Sequence, residues 1–249
     1  MNLVIPVPGI RPVLELLHHN SSLIKEVWIA RQRNLSRLEE IISICDRQGI
    51  PVYYKDAMEI SCLIPEVNHQ GIVAIISRFK YSSLEELISH VNKIPRKSLI
   101  LALDHITDEG NLASILRSAA FFDVQGIILP KNRSASISPQ VIKRSAGACL
   151  CLSIVRVKNM VSALKKLVKE GFWIIGTSHK GRISLYDFDW DRSLVLVLGN
   201  EQKGIGRATE KICHEIIKIP LLGKVESLNV GVATGVFLSE ITRYRLKSS

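Results

Sequence analysis

Cysteine is scarce and scattered in this chain of 249 residues: Cys45, Cys62, Cys149, Cys151 and Cys213 form neither a CxxC pair nor a dense framework. A disulfide-stapled fold is thereby excluded, and the odd count reads as reduced thiols in a cytosolic setting. No cluster of His, Cys, Asp and Glu at ligand spacing suggests a metal site. Long apolar runs are missing too. Leu194-Val195-Leu196-Val197-Leu198 is far too short to span a bilayer. The opening stretch Met1–Gly9 lacks a basic segment and carries two prolines, so it is not expected to act as a signal peptide. There is no internal repeat and no low-complexity tract. These absences leave a soluble, cytoplasmic, globular protein as the expectation, with no membrane partner and no metal.

What the chain does have is apolar content and positive charge. At 47% hydrophobic and 22% charged residues it can bury a proper core. The formal net charge is +10, which favours an anionic partner. Residues 1–97 carry 12 Lys/Arg against 10 Asp/Glu, a net of +2, whereas residues 98–249 carry 21 against 13, a net of +8. The positive field belongs to the second part, as if a polyanion lay across it.

The length fits one large domain or two modest ones. Residues 1–77 read as a small α/β unit. Val27–Ala30, Pro51–Tyr54 and Gly71–Ile76 are strand-like, and Leu35–Gln48 has helical spacing, with Leu38, Ile41, Ile42 and Cys45 expected on one face. A connecting helix is expected over Ser82–Val91, followed by a polar break at Lys93–Lys97, so residues 78–97 read as a linker. From 98 to 249 strands and helices alternate. Strands are expected at Leu99–Leu103, Gly126–Leu129, Ser153–Val157, Trp173–Thr177, Leu194–Leu198 and Glu215–Ile219. Helices are expected at Asn111–Phe122, Pro139–Ser145, Met160–Glu170 and Asn229–Lys247. Strands apolar on both faces, alternating with helices, imply a parallel sheet covered by helices. Such sheets bind ligands in the loops beyond the strands' C-terminal ends.

Three stretches lie in those loops. Asp104–Asn111 leaves a strand and enters a helix near Asn111, a good capping residue. Six residues on, Arg117 stands among Leu112, Ile115, Leu116, Ala119 and Ala120. By spacing alone this is a cap and a surface arginine, yet an arginine in so apolar a helix calls for a partner such as a phosphate or carboxylate. Gly199-Asn200-Glu201-Gln202-Lys203-Gly204-Ile205-Gly206 is a glycine-rich loop that lets backbone approach a ligand. It is not a P-loop, because Ile205 follows Gly204, and Thr209 stands where the dinucleotide fingerprint needs its third glycine. Ile219–Gly235 ends in small residues at 231, 233, 234 and 235, with Ser227 and Asn229 available as caps.

In this order, Asn111…Arg117, Gly199-x-Glu201-x-x-Gly204 and Ile219-Pro220…Ser227-Leu228-Asn229-Val230 resemble the three motifs of the SpoU (TrmH-type) branch of the SPOUT methyltransferases, over residues 99–249. Gly9–Leu17 and His69–Ala74 are similar to the opening helix and closing strand of that family's ribosomal-protein-like substrate-binding domain. The two-part layout is most similar to members that methylate a guanosine ribose in large-subunit (23S-type) rRNA. The resemblance implies an α/β fold with a C-terminal trefoil knot and a homodimer whose active site draws on both subunits. It implies S-adenosylmethionine as cofactor, held around Gly199, Ile219 and Leu228 with Thr177 near the pocket, and RNA as substrate. It makes Arg117, Asn111, Glu201, Asn229 and Ser227 the catalytic set. Arg117 would anchor a phosphate or stabilise a developing alkoxide rather than act as a base, since a guanidinium stays protonated. Glu201 would orient Arg117 or the loop. Ala113-Ser114 stands where the family favours Gly-Ala, and Glu109 where proline is common.

Two rivals remain. The same reaction on tRNA is disfavoured by residues 1–77 and by the lack of basic terminal extensions. A non-catalytic RNA-binding protein need not retain Asn111, Arg117, Glu201 and Asn229 together.

Overall fold

The computed structural model describes residues 4–31, 38–65, 67–76, 79–224 and 227–248. They fall into two compact units, Met1–Lys80 with Ser136–Cys151, and Tyr81–Ala135 with Leu152–Ser249.

The first unit is a four-stranded mixed sheet of β1 (Ile5–Pro8), β2 (Ile24–Ala30), β3 (Val52–Lys55) and β4 (Ile72–Ile76), in the order β1-β4-β2-β3. Strand β4 is antiparallel to β1 and β2, and β2 is parallel to β3. Helices α1 (Ile10–His19) and α2 (Glu39–Gln48) pack with each other. The expected apolar face of α2 needs one correction: Leu38, Ile41, Ile44 and Cys45 are buried, while Ile42 is only half-buried. Ile44 completes the i, i+3, i+4 stripe that the packed face requires. The first positions expected in that helix, residues 35–37, lie outside the described residues. Helix α3 (Ala57–Leu63) went unforeseen, although Asp56 and Glu59 form a capping box at its start.

The second unit is a seven-stranded sheet, and every one of its strand pairings is parallel. Its strands are β5 (Leu99–Asp104), β6 (Gly126–Pro130), β7 (Ile154–Val157), β8 (Trp173–Thr177), β9 (Ile183–Ser184), β10 (Leu194–Gly199) and β11 (Glu215–Lys218). Their order is β7-β6-β5-β10-β8-β11-β9. All six residues of β5 and all five of β6 are buried, which explains why their sequences run apolar without alternation. Helices α4 (Leu84–Val91) and α7 (Met160–Lys169) bury Leu84, Leu87, Val91, Leu164 and Leu167 in one core with Ile100, Ala102, Val195 and Val197. Each such leucine contributes roughly 1.5–3 kcal/mol. Helices α5 (Glu109–Phe121) and α9 (Val230–Ser248) pack against each other. Trp190 is fully buried, donates its indole N–H to the Leu185 carbonyl at 2.8 Å and stacks edge-on with Phe188 and Phe237. Arg245, near the end of α9, donates to the carbonyls of Lys97, Trp190 and Arg192. The far end of α9 is thus clamped, which fixes where its first turn falls. The short helix α8 (Arg207–Glu210) belongs to this unit, whereas α6 (Pro139–Arg144) belongs to the first.

Candidate active site

Four neighbouring parallel strands, β11, β8, β10 and β5, end side by side. The residues that close them are Lys218 and then Ile219, Thr177, Gly199 and Asp104, so the topology gathers segments more than a hundred residues apart. Gly199 lies directly opposite Asp104 in the register.

The loop after β10 is held by its own backbone. Asn200 and Gly204 exchange two main-chain hydrogen bonds at 3.0 and 2.8 Å, and the Asn200 side-chain oxygen accepts the amides of Gln202 and Lys203. A Cβ at Gly199 would stand 2.2 Å from the Gly204 carbonyl carbon, so only glycine fits there. Asp104 is 2% exposed and uses both carboxylate oxygens, one accepting the Gly206 N–H at 2.9 Å and the other paired with His105 Nδ1 at 2.8 Å. A buried carboxylate demands such partners. His105 takes a left-handed φ of 63°, and its carbonyl accepts the Asn200 side-chain amide at 2.9 Å. The sequence motifs assign no role to Asp104, His105 or Asn200. The available signal was a lone acid ending an otherwise apolar strand.

Helix α5 is capped by Asp108, whose side chain accepts the Asn111 N–H at 2.7 Å. This corrects the expectation that Asn111 is the cap. Because Asp108 takes that work, the Asn111 side chain is free to reach across the loop. It donates to Glu201 Oε1 at 2.8 Å and accepts from the Asn229 side-chain amide at 2.8 Å. Asn229 in turn caps α9, its oxygen accepting the amides of Gly231 at 2.9 Å and Val232 at 3.4 Å. Residues that stand 90 and 118 positions beyond Asn111 in sequence therefore join it in one chain of hydrogen bonds. Ser114 lies against Gly231, where any Cβ would meet its hydroxyl at 2.7 Å. The family departures at Glu109, Ala113 and Ser114 all sit inside the regular helix α5.

Other expected residues are placed differently. Arg117 is exposed on α5 and makes no hydrogen bond or ion pair among the described residues. Glu201 orients Asn111 and the Asn200 side chain, and no partner for Arg117 stands among the described residues. Six residues of helix turn Arg117 about 120° away from Asn111, so the two occupy different faces. Ser227 is exposed and makes no hydrogen bond among the described residues, leaving the cap to Asn229. The Thr177 hydroxyl donates to the Val197 carbonyl at 3.0 Å, tying β8 to β10 and leaving only acceptor capacity for a ligand. Ile219 is half-buried, while Leu228 is 51% and Leu222 99% exposed, so apolar side chains lie uncovered beside the strand ends. Exposed leucines after β11 and a glycine loop after β10 that admits close backbone approach together suit a ligand with an apolar body and polar edges. Beneath the loop, burial pushes the Cys213 thiol up to about 12, with the Glu210 and Asp104 carboxylates adding to the effect. Among the described residues no group of three or more His, Cys, Asp or Glu could hold a metal ion, and no helix is long and apolar enough to cross a membrane.

Comparison with known proteins places this geometry. The SpoU rRNA Methylase family profile matches residues 98–239, and a profile for RNA 2'-O ribose methyltransferase substrate binding matches residues 6–82. The chain belongs to the SpoU rRNA methylase family. It is 38% identical over 242 residues, 96% of each protein, to the 23S rRNA (guanosine-2'-O-)-methyltransferase RlmB of Pseudomonas aeruginosa. It is 36% identical over 240 residues, 95% of each protein, to the RlmB of Pseudomonas putida. The crystal structure of the SpoU methyltransferase AviRb from Streptomyces viridochromogenes, in complex with AdoMet, superposes with a TM-score of 0.80 at 22% identity, covering 98% of this chain and 91% of that one.

Proposed function

We propose that the chain transfers a methyl group from S-adenosylmethionine to the ribose 2′-hydroxyl of a guanosine in large-subunit rRNA. Residues 98–249 would form the methyltransferase domain and residues 1–77 the substrate-binding domain. The observation that carries this reading is the chain Glu201–Asn111–Asn229, which fixes three polar side chains at the mouth of the glycine loop. Near-full-length likeness to RlmB proteins supports the guanosine in 23S rRNA as the target.

When bound, S-adenosylmethionine supplies an electrophilic methyl group; Gly199, Ile219 and Leu228 would hold it, with Thr177 at the pocket edge. Asn111 and Asn229 present fixed amide dipoles, so no reorganisation is needed as charge develops on the ribose oxygen. Arg117, uncommitted among the described residues, is available to a phosphate or a developing alkoxide. It is not a base, because a guanidinium keeps its proton. Ser227 would order the site from the segment before α9.

The separation of Arg117 from Asn111 on α5 favours a site assembled from two copies, in a homodimer built on a trefoil-knotted domain and acting in the cytoplasm. Phe121 is 81% and Val232 54% exposed on the two packed helices α5 and α9, an apolar surface suited to a second copy. Mixing Arg117→Ala with Glu201→Gln protein tests this directly: restored methyl transfer supports a shared site, and continued inactivity of the mixture sinks it. The reaction itself is tested by calorimetry with S-adenosylmethionine and by labelled methyl transfer to a 23S rRNA transcript. A folded protein that gives no binding heat would overturn the enzyme reading.

A further inference from the structure

Between Val124 and Lys169 the chain carries nine Lys/Arg and no Asp or Glu, so nearly all of the net charge of +10 arises from one segment. Four of these cations, Lys131, Arg133, Arg156 and Lys158, stand at or just beyond the C-terminal ends of β6 and β7. Those strands continue the parallel sheet outward from β5, so their ends lie on the same edge as Asp104 and the loop leading to Asn111. The connection is physical. The Ala135 N–H donates to the Ile106 carbonyl at 2.8 Å, binding the loop after β6 to the active-site loop, and the Lys131 N–H donates to the Val157 carbonyl at 2.8 Å.

The four cations are not equivalent. Arg156 is half-buried, donates to the Lys131 carbonyl and lies over the Tyr81 ring at 5.4 Å, so it braces the two strand ends. Lys131, Arg133 and Lys158 are exposed, and their side chains make no hydrogen bond or ion pair among the described residues. Lys166 on α7 shows the alternative, being neutralised by Glu85 at 2.8 Å. Arg133 also holds a left-handed φ of 54°, a conformation costly for a long side chain and a recurrent mark of functional loops. Three unneutralised cations on one edge, without an interleaved acid, repel each other until a polyanion lies across them.

We propose that Lys131, Arg133 and Lys158 form a phosphate-binding shelf that carries the RNA strand flanking the target nucleotide towards Asn111. The inference rests on the RNA-methyltransferase reading and adds to it the side from which RNA enters. Such a shelf positions the strand through its phosphates and reads no base.

The test is equilibrium binding of a fluorescein-labelled 23S rRNA fragment across a KCl series, for the wild-type chain, for K131A/R133A/K158A and for the equally charge-depleted K165A/K166A/K169A on the outer face of α7. The shelf variant should bind at least about tenfold more weakly at moderate salt, with a log–log salt slope shallower by about two to three. The α7 variant should keep the wild-type slope. Calorimetric S-adenosylmethionine binding by the shelf variant should match wild type, showing that the fold stands. Unchanged RNA affinity and slope in the shelf variant, or an equal loss in the α7 variant, would overturn the shelf. Neither outcome touches methyl transfer by the wild-type chain, whose absence would instead fail the enzyme reading while the binding titration still decides the shelf.

Discussion

The carboxylate of Asp104 accepts the backbone N–H of Gly206 at 2.9 Å, across 102 positions of sequence. This bond pins the glycine loop to the end of β5, and the loop in turn presents Glu201 to Asn111. Replacing Asp104 with Ala removes the acceptor of the Gly206 N–H and the partner of His105; a hydrogen bond to a charged group is worth about 1.5–3 kcal/mol. Denaturant unfolding should show that loss and calorimetry a weakened S-adenosylmethionine affinity. Wild-type affinity in the variant would mean that the loop keeps its shape without Asp104.

Asn111 and Glu201 should act as a unit. In a double-mutant cycle, Asn111→Ala and Glu201→Ala should each lower kcat/KM, and the double variant should be little worse than the poorer single. The coupling expected for residues in direct contact is about 0.5–3 kcal/mol. Strict additivity would show that the 2.8 Å hydrogen bond carries no functional weight.

Arg117 separates stability from activity. It is exposed and has no partner among the described residues, so Arg117→Ala should shift unfolding free energy by no more than about 0.5 kcal/mol. Methyl transfer should nonetheless fall by about 10²-fold or more. Arg117→Lys keeps the charge and loses the planar fork, so it should recover only part of the rate.

Gly199→Ala forces a methyl group to within 2.2 Å of the Gly204 carbonyl carbon. The loop must move, and an overpacked position of this kind typically costs about 1–3 kcal/mol. Cofactor binding should suffer more than stability, because the displaced segment is the loop proposed to hold the cofactor. Equal S-adenosylmethionine affinity in this variant would remove Gly199 from the site.

Alkaline stability follows from buried thiols. Burial pushes Cys149 and Cys213 up to about 12, whereas an unfolded thiol titrates near 9. Above pH 9 the unfolded chain loses protons that the folded chain retains, so unfolding becomes easier. The stabilisation is complete below pH 9 and is lost as pH rises through 12. Urea midpoints at pH 7, 9 and 10 should fall across that range, and less steeply in Cys213→Ala. A midpoint independent of pH would show that these thiols ionise alike in both states.

Much of the fold was legible in the sequence for a simple reason. Strands β5, β6 and β10 are buried on both faces, so each appears as an unbroken apolar run. Helices α5 and α7 show helical spacing with polar caps. Short elements were not legible: β9 has two residues and α8 four, and neither carries enough residues for a period to register. Ile42 was expected on the buried face of α2 and Ile44 lies there instead, since both fit an apolar stripe until the neighbouring helix chooses. The segment Ser136–Cys151 belongs to the first compact unit although it interrupts the second in sequence. No local pattern announces such long-range association.

The sequence alone determined the inventory: an alternating strand–helix order, a glycine loop, two asparagines, a glutamate and an arginine. Composition and periodicity are local properties, and they survive in any reading of the chain. Only the tertiary structure decided which of these residues meet. Parallel strands β5 and β10 in register put Gly199 beside Asp104, and Asp108 took the cap that frees Asn111 to bridge Glu201 and Asn229. It also left Arg117 on another face, without a partner among the described residues. Those pairings depend on strand order and helix packing, which arise from burying the whole sheet at once rather than from any one motif.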